Sequence, residues 1–141
     1  MVAHLDKRLC LFPNTTAIQQ VQGQPALTIA GQSLAALADQ YGTPLYVFDR
    51  FTLDANVDAY RKALEAHYPV PGGITYAGKA FLCPAIAQWA DQQGLLLDCT
   101  GAGEVAIAVA AGVARQRILV HGVNKSPADL AAAVRHAGVI V

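Results

Sequence analysis

Hydrophobic positions follow two periods along this chain, and the change from one period to the other separates strands from helices. After the breaker segment 69–73, short apolar runs begin at Ile74, Leu95, Ile118 and Val139. These starts lie 21, 23 and 21 residues apart, and each gap has room for one amphipathic helix. Strands that alternate with helices form a parallel sheet, because each helix returns the chain along a face of the sheet. The pattern therefore predicts an α/β fold.

Turn and capping residues mark the ends of the predicted helices. Pro84 suits the first turn of one helix, and Gly94 suits its end. The next helix lies between Gly103 and Gly112. The segment Ser126–Asp129 opens the third helix as a capping box, with Asp in place of the usual Glu. Such a regular strand–helix repeat is typical of a β/α barrel.

A complete β/α barrel has eight such units and roughly 250 residues. The fourth predicted strand coincides with the last residues of this 141-residue sequence. We therefore expect a partial TIM barrel of about the first three and a half units. On this interpretation the chain is a fragment that lacks a C-terminal half. The alternative is a small open α/β sheet that is complete in itself.

The region before the breaker segment has weaker patterning. Its predicted strands are Leu9–Pro13, Ala26–Ile29 and Leu45–Phe48. Ser33 is expected to cap a helix whose apolar residues recur at helical spacing, and a second helix is predicted over about residues 52–67. We expect two parts, an N-terminal segment over residues 1–48 and the truncated barrel over residues 49–141.

The composition argues against several classes of protein. The chain is 54% hydrophobic and 14% charged, which favours a folded domain over a disordered one. Ten basic residues balance ten acidic ones, so the chain lacks the positive field that nucleic-acid binding requires. The longest apolar region, 95–114, is interrupted by Asp98 and Glu104, which argues against a membrane span.

The cysteines and the start of the chain indicate the compartment. Three cysteines without a close-paired spacing argue against a disulfide framework and against a zinc site, so no bound metal is expected. The first residues do not combine a basic segment with an apolar one, as a signal peptide would. We therefore expect a reduced, cytoplasmic setting.

Polar and ionisable residues follow the predicted strands at the point where each strand ends. They are Lys79, Asp98, Glu104, His121, Asn124 and Lys125. In β/α barrels the active site lies at the carboxyl ends of the strands. The sequence therefore predicts that these side chains share one rim of the sheet.

Lys79 is the most informative residue of this set. It comes directly after an apolar strand, with a glycine before it. At a barrel mouth of low dielectric constant the neutral amine is favoured, and a neutral lysine can form an imine with an aldehyde cofactor. A solvated lysine at a strand end is the simpler interpretation, and spacing alone favours it.

Longer segments carry a resemblance to a known family. Tyr76–Leu82 resembles the cofactor-lysine motif of barrel-type pyridoxal-phosphate decarboxylases and alanine racemases. Leu11–Pro13 and Tyr41–Asp49 are similar to the opening of the diaminopimelate decarboxylases. Asp98–Glu104 and His121–Ser126 resemble their Asp-Val-Val-Ser-Gly-Gly-Glu and His-Gly-Asn-Asn-Lys-Ser segments. The match covers nearly the whole chain in consistent order, although Gly101, Ala102 and Val123 depart from the family pattern.

The resemblance implies a cofactor, a site and a reaction. The cofactor would be pyridoxal 5'-phosphate, held covalently by Lys79 as the catalytic residue. Ala77, Asp98 and His121 would also contact the cofactor. The complete enzyme would convert meso-diaminopimelate to L-lysine as a homodimer, with its N-terminal segment joined to a β domain. Since the phosphate loop belongs to the absent half, the fragment alone is expected to be inactive.

Other interpretations remain open at this point. The same barrel group includes decarboxylases of ornithine, arginine and carboxynorspermidine, and a non-catalytic pyridoxal-phosphate protein would also carry such a lysine. Asp98 could instead cap the next helix. Glu104 suits the dipole of that helix in any case, and His121 could simply bond to backbone.

Overall fold

A computed structural model describes residues 7–141 of the chain. By its contacts the chain divides into two compact units, one that ends at Ala59 and one that begins at Tyr60. This boundary falls inside the helix Arg50–His67. The division expected after residue 48 stays a prediction. Within residues 7–141, no helix is both long and apolar enough to cross a membrane.

The first unit contains a small antiparallel sheet. Its strands are β1 (Ala17–Val21), β2 (Gln24–Ile29) and β3 (Gln32–Ser33), paired in chain order. Two-residue turns with positive φ connect them: Gln22 and Gly23 at 53° and 78°, and Ala30 and Gly31 at 49° and 75°. Such turns match the twist of a hairpin. The predicted strand at residues 26–29 is therefore confirmed as part of β2.

Strand β1 has no counterpart among the predictions. Its three central residues are exposed and two of them are glutamines, so its sequence lacks an apolar run. The Gln22–Gly23 turn was the available signal, because a glycine that can adopt positive φ between two short segments favours a hairpin. Pairing with β2, and not the composition of β1, makes this segment a strand.

Two predicted strands are wrong. Leu9–Pro13 was expected to be extended, but Lys7–Leu11 forms a 3-10 helix, which the bond from Phe12 N–H to Leu9 O (3.0 Å) extends into a turn. Leu45–Phe48 forms no strand, and Tyr46 is 83% exposed. A strand needs a neighbour for its backbone groups, and none of the described strands pairs with this segment.

Side-chain caps begin both helices of this region. In α1 (Leu34–Tyr41) the predicted cap is confirmed, since Ser33 Oγ accepts a bond from Ala36 N–H at 3.4 Å. In α2 (Arg50–His67) the buried Asp49 carboxylate accepts bonds from Thr52 N–H (3.3 Å) and the Thr15 hydroxyl (2.9 Å). Burial alone would raise the pKa of Asp49, but these hydrogen bonds outweigh it and lower the pKa.

The second unit contains a four-stranded parallel sheet with helices between its strands. Its elements are β4 (Thr75–Ala77), α3 (Pro84–Gln92), β5 (Leu96–Cys99), α4 (Ala102–Ala110), β6 (Ile118–Val120), α5 (Pro127–His136) and β7 (Val139–Ile140). The strands pair in chain order, β4-β5-β6-β7. Each strand starts within one residue of its predicted start. The predicted α/β fold with a parallel sheet is confirmed.

The two faces of this sheet differ in burial. Leu97, Cys99, Ile118 and Val120 are buried on one face. Because side chains alternate along a strand, their neighbours point to the opposite face. There Ala77, Asp98, Leu119 and Val139 form one row in register across the four strands. The less buried face therefore carries a carboxylate in its second strand.

The predicted capping box at the start of α5 is confirmed, and it extends to a neighbouring helix. Asp129 Oδ2 accepts bonds from Ser126 N–H (2.9 Å) and from the Ser126 hydroxyl (2.6 Å). Its other oxygen accepts a bond from Ala102 N–H, at the start of α4, at 2.7 Å. The bonds from Ser126 and Ala102 lower the pKa of Asp129 to about 2. One carboxylate therefore ties together the first turns of two helices.

This linkage predicts a specific dependence of stability on pH. The pKa of Asp129 is lowered in the folded state, so its contribution is complete above the unfolded value near 3.8 and is lost as the pH falls toward about 2. Asp129→Asn should lower stability at pH 7 and flatten the loss of stability between about pH 4 and pH 2. Thermal unfolding measured across this range tests the change. Asp39→Asn, at an exposed position of α1, is the control and should keep the wild-type slope.

Candidate active site

Three of the predicted site residues come together at the carboxyl ends of neighbouring strands. Ala77 is the last residue of β4 and lies opposite Asp98 of β5. His121 follows β6 directly, and its backbone N–H bonds to Cys99 O at 3.0 Å. The His121 side chain lies with Nδ1 at 3.2 Å from Asp98 Oδ2. The predicted rim therefore exists, and Asp98 lies at its centre.

Lys79 lies in the 3-10 helix Gly78–Ala80, two residues beyond the end of β4. The side chain is exposed, and its amine makes no hydrogen bond or ion pair within residues 7–141. Lys125 differs in this respect, because its amine donates a bond to Gly122 O at 3.1 Å. Of these two rim lysines, Lys79 has the amine that is available to a ligand.

Gly78 lets the Lys79 segment lie directly beside β5. Gly78 is buried, and a Cβ atom at this position would lie 2.8 Å from Asp98 O and 3.3 Å from Leu82 Cδ2. The first distance is too short for any side chain, and the neighbouring atom belongs to backbone that cannot move aside. The absence of a side chain thus allows the backbone at Gly78, next to Lys79, to lie in close contact with the end of β5.

Asp98 carries a carboxylate that is only partly satisfied. Its side chain is 16% exposed, and one of its oxygens faces His121. The other oxygen, Oδ1, is buried and has no hydrogen-bond partner among the described residues. Buried polar atoms without partners are rare in folded proteins, and an ionised carboxylate can only accept. The arrangement suits a ligand that brings a donor or a positive charge.

Glu104 adds a second carboxylate close to the same point. It lies in the first turn of α4, as predicted, and its Oε2 accepts bonds from Thr100 N–H and from the Thr100 hydroxyl (2.8 Å). Burial, then the charges of Glu104 and Asp98, raise the pKa of the Cys99 thiol to about 12. Cys99 therefore stays protonated and cannot serve as a nucleophile at neutral pH.

The predictions did not include two features of this site. They treated Gly78 only as a flexible residue before Lys79 and did not anticipate its approach to Asp98 O. They also left Tyr76 without a role, although its hydroxyl donates a bond to Phe81 O at 2.7 Å, across the Lys79 segment. A glycine placed between a strand and a candidate lysine was the available signal for the first feature. The second depends on a side-chain direction that a sequence does not state.

An apolar groove of about 530 Å³ lies elsewhere in this unit, between α4 and α5. Small residues line most of it, with Arg135 and His136 among the lining side chains. None of the predicted site residues belongs to this groove. The chemistry therefore concentrates at the strand ends and not in the groove.

Comparison with known proteins places Lys79, Asp98 and His121 in a recognised domain. Residues 52–140 match the family model of the pyridoxal binding domain of pyridoxal-dependent decarboxylases. The chain is 44% identical over 114 residues to a diaminopimelate decarboxylase of Mycobacterium leprae, a match that covers 79% of this chain and 22% of the relative. It is 41% identical over 133 residues to a diaminopimelate decarboxylase of Mycobacterium tuberculosis, covering 92% and 27%. The chain thus spans about a quarter of the length of these curated relatives.

A solved structure supports the same fold. The crystal structure of a diaminopimelate decarboxylase from M. jannaschii, in co-complex with L-lysine, aligns with a TM-score of 0.75 at 24% identity. The alignment covers 90% of this chain and 29% of that one. At 24% identity this structural similarity establishes only the fold. The expectation of a partial β/α barrel is therefore confirmed.

The approach of Gly78 to β5 predicts the effect of a single methyl group. Gly78→Ala should push the Lys79 segment away from Asp98 O and destabilise the fold by roughly 1–3 kcal/mol, the usual cost of overpacking. Gly73→Ala is the matched control, because a Cβ there meets no atom within 4 Å. Urea denaturation of both variants measures the difference. Equal stabilities would contradict the proposed close contact.

Proposed function

Because the chain belongs to the family of pyridoxal-dependent decarboxylases, with residues 52–140 matching the family's pyridoxal binding domain, we propose that it provides the cofactor lysine of a diaminopimelate decarboxylase. The cofactor of this domain is pyridoxal phosphate. The observation that carries the proposal is the position of Lys79. It has an available amine, two residues beyond β4, on a segment that lies against the end of β5.

The residues of the site fit this cofactor. A Cβ at Gly78 would clash with Asp98 O, so the segment that carries Lys79 lies in close contact with the end of β5, and Asp98 keeps a buried oxygen without a partner among the described residues. When bound, pyridoxal phosphate accepts the electron pair that remains when carbon dioxide leaves an amino acid. The Asp98 oxygen without a partner supports a group that brings a donor or a positive charge to this edge of the sheet.

Each residue of the proposed site has a distinct role. The Lys79 amine would anchor the cofactor by forming a C=N bond with its aldehyde carbon, with release of water. Asp98 would accept a hydrogen bond through Oδ1, while His121 Nδ1, 3.2 Å from Oδ2, holds the carboxylate in place. Ala77, in register with Asp98, has only a methyl side chain and would leave room for the cofactor on this face of the sheet.

The proposed substrate is meso-diaminopimelate, with L-lysine as the product. The matched relatives from two mycobacteria are named diaminopimelate decarboxylases, which favours this substrate over ornithine, arginine or carboxynorspermidine. About three quarters of each relative lies outside the matched region, and the proposed activity depends on that part as well. The homodimer and the cytoplasmic location expected from the sequence remain predictions.

The role of Lys79 can be tested by chemical trapping. With pyridoxal phosphate present, borohydride reduction followed by peptide mapping should place the pyridoxyl group on Lys79. Lys79→Ala should lose this label. Lys125→Ala should keep it, since the Lys125 amine is bonded to Gly122 O. A label on Lys125, or a uniform label on all lysines, would contradict the proposed role of Lys79.

The substrate can be tested in a chimera in which this chain replaces the matched N-terminal quarter of the M. tuberculosis relative. Carbon dioxide release from meso-diaminopimelate should exceed that from ornithine by roughly a thousandfold or more in kcat/KM, because a shorter substrate leaves polar contacts unpaired. The same chimera with Lys79→Ala controls for background, and the 141-residue chain alone should show no turnover. Comparable rates with ornithine would contradict the proposal.

A further inference from the structure

Tyr76 lies in β4 in register with the buried Leu97 of β5, so its side chain lies on the buried face of the sheet, which α3 covers. Its ring contacts the ring of Trp89 in a T-shaped arrangement, with centroids 5.8 Å apart and planes at 86°. Trp89 is 5% exposed and belongs to α3. Edge-to-face contacts of this kind stabilise a particular ring orientation. The Tyr76 ring is therefore held by the core.

The hydroxyl of this fixed ring reaches the far end of the Lys79 segment. It donates a bond to Phe81 O at 2.7 Å, so one side chain spans the backbone from β4 to the residue after the 3-10 helix. The segment 78–80 lies inside this bridge. On its other side, Gly78 lies against Asp98 O. The backbone that carries Lys79 is thus fixed both by a steric contact and by a hydrogen bond.

The donor in this bridge is permanent under ordinary conditions. Burial raises the pKa of the Tyr76 phenol above its ordinary value of 10.0, with the charge of the nearby Cys83 side chain as the second cause. The hydroxyl therefore keeps its proton at neutral and mildly alkaline pH. Since a backbone carbonyl can only accept, the direction of the bond from Tyr76 to Phe81 O does not change with pH in this range.

We propose that Tyr76 is a positioning residue for the cofactor lysine, because its bond to Phe81 O fixes the segment from which Lys79 reaches pyridoxal phosphate. The proposal rests on the function assigned to Lys79 above. On this proposal, the bond from Tyr76 to Phe81 O affects the binding of the cofactor as well as the stability of the fold. Loss of the bridge lets the segment sample several positions, and the cofactor must then order it again on binding.

The test compares Tyr76→Phe, which keeps the ring but removes the donor, with Tyr60→Phe, at a position that is 69% exposed. Each variant is titrated with pyridoxal phosphate well below its unfolding temperature, and bound cofactor is followed by absorbance and by induced circular dichroism at saturation. Tyr76→Phe should raise the apparent Kd roughly three- to tenfold, the range expected for one net hydrogen bond. It should also weaken the induced dichroism, because the bound chromophore is held less uniformly. Tyr60→Phe should change neither.

The possible outcomes separate the proposal from a purely structural role. A lower Tm for Tyr76→Phe with unchanged Kd and unchanged dichroism would overturn it. If Tyr76→Phe does not fold, Trp89→Phe serves instead. This variant keeps the Tyr76 hydroxyl but weakens the ring contact that fixes the orientation of Tyr76. Trp89→Phe should also raise the apparent Kd for pyridoxal phosphate, and an unchanged Kd in this variant would overturn the proposal. If the wild-type chain forms no bond to the cofactor at Lys79, the proposed function itself fails.

Discussion

The parallel pairing of β4 with β5 is the constraint on which the site depends. Register places Ala77 opposite Asp98, so the next residue of the chain must pass directly beside the end of β5. Only a residue without a side chain can make this passage, since a Cβ at Gly78 would lie 2.8 Å from Asp98 O. The position of Lys79 follows, because the preceding residue, Gly78, is fixed by its contact with β5.

The rim carries two carboxylates, Asp98 and Glu104, and the fold determines which of their oxygens have hydrogen-bond partners. Glu104 is satisfied by Thr100, and one oxygen of Asp98 by His121. Asp98 Oδ1 keeps no partner within residues 7–141. The same two carboxylates contribute to the raised pKa of Cys99, which removes the neighbouring thiol as a competing nucleophile. A cationic or donor group bound beside Lys79 would complete this set of contacts.

The helices of the second unit reinforce the strand ends from outside the site. Asp129 bonds to Ala102 N–H, just beyond β5, and to Ser126, beyond β6. Trp89 of α3 supports the ring of Tyr76 from the helix-covered face. Loops that carry functional side chains are otherwise the most mobile parts of a fold. Here, helix caps and core aromatics hold the segments after three neighbouring strands.

The sequence by itself determined the alternation of strands and helices after residue 73, the cap at Ser126 and the resemblance of the Tyr76–Leu82 segment to a cofactor-lysine motif. These features are local, and spacing and turn chemistry record them. The segments Leu9–Pro13 and Leu45–Phe48 were predicted wrongly, because an apolar run becomes a strand only when a neighbour pairs with it. Tertiary structure alone decided the Asp98–His121 contact, the close approach of Gly78 to Asp98 O and the bond from Tyr76 to Phe81 O. Each depends on register or on a side-chain direction, which is settled only when separate elements pack together.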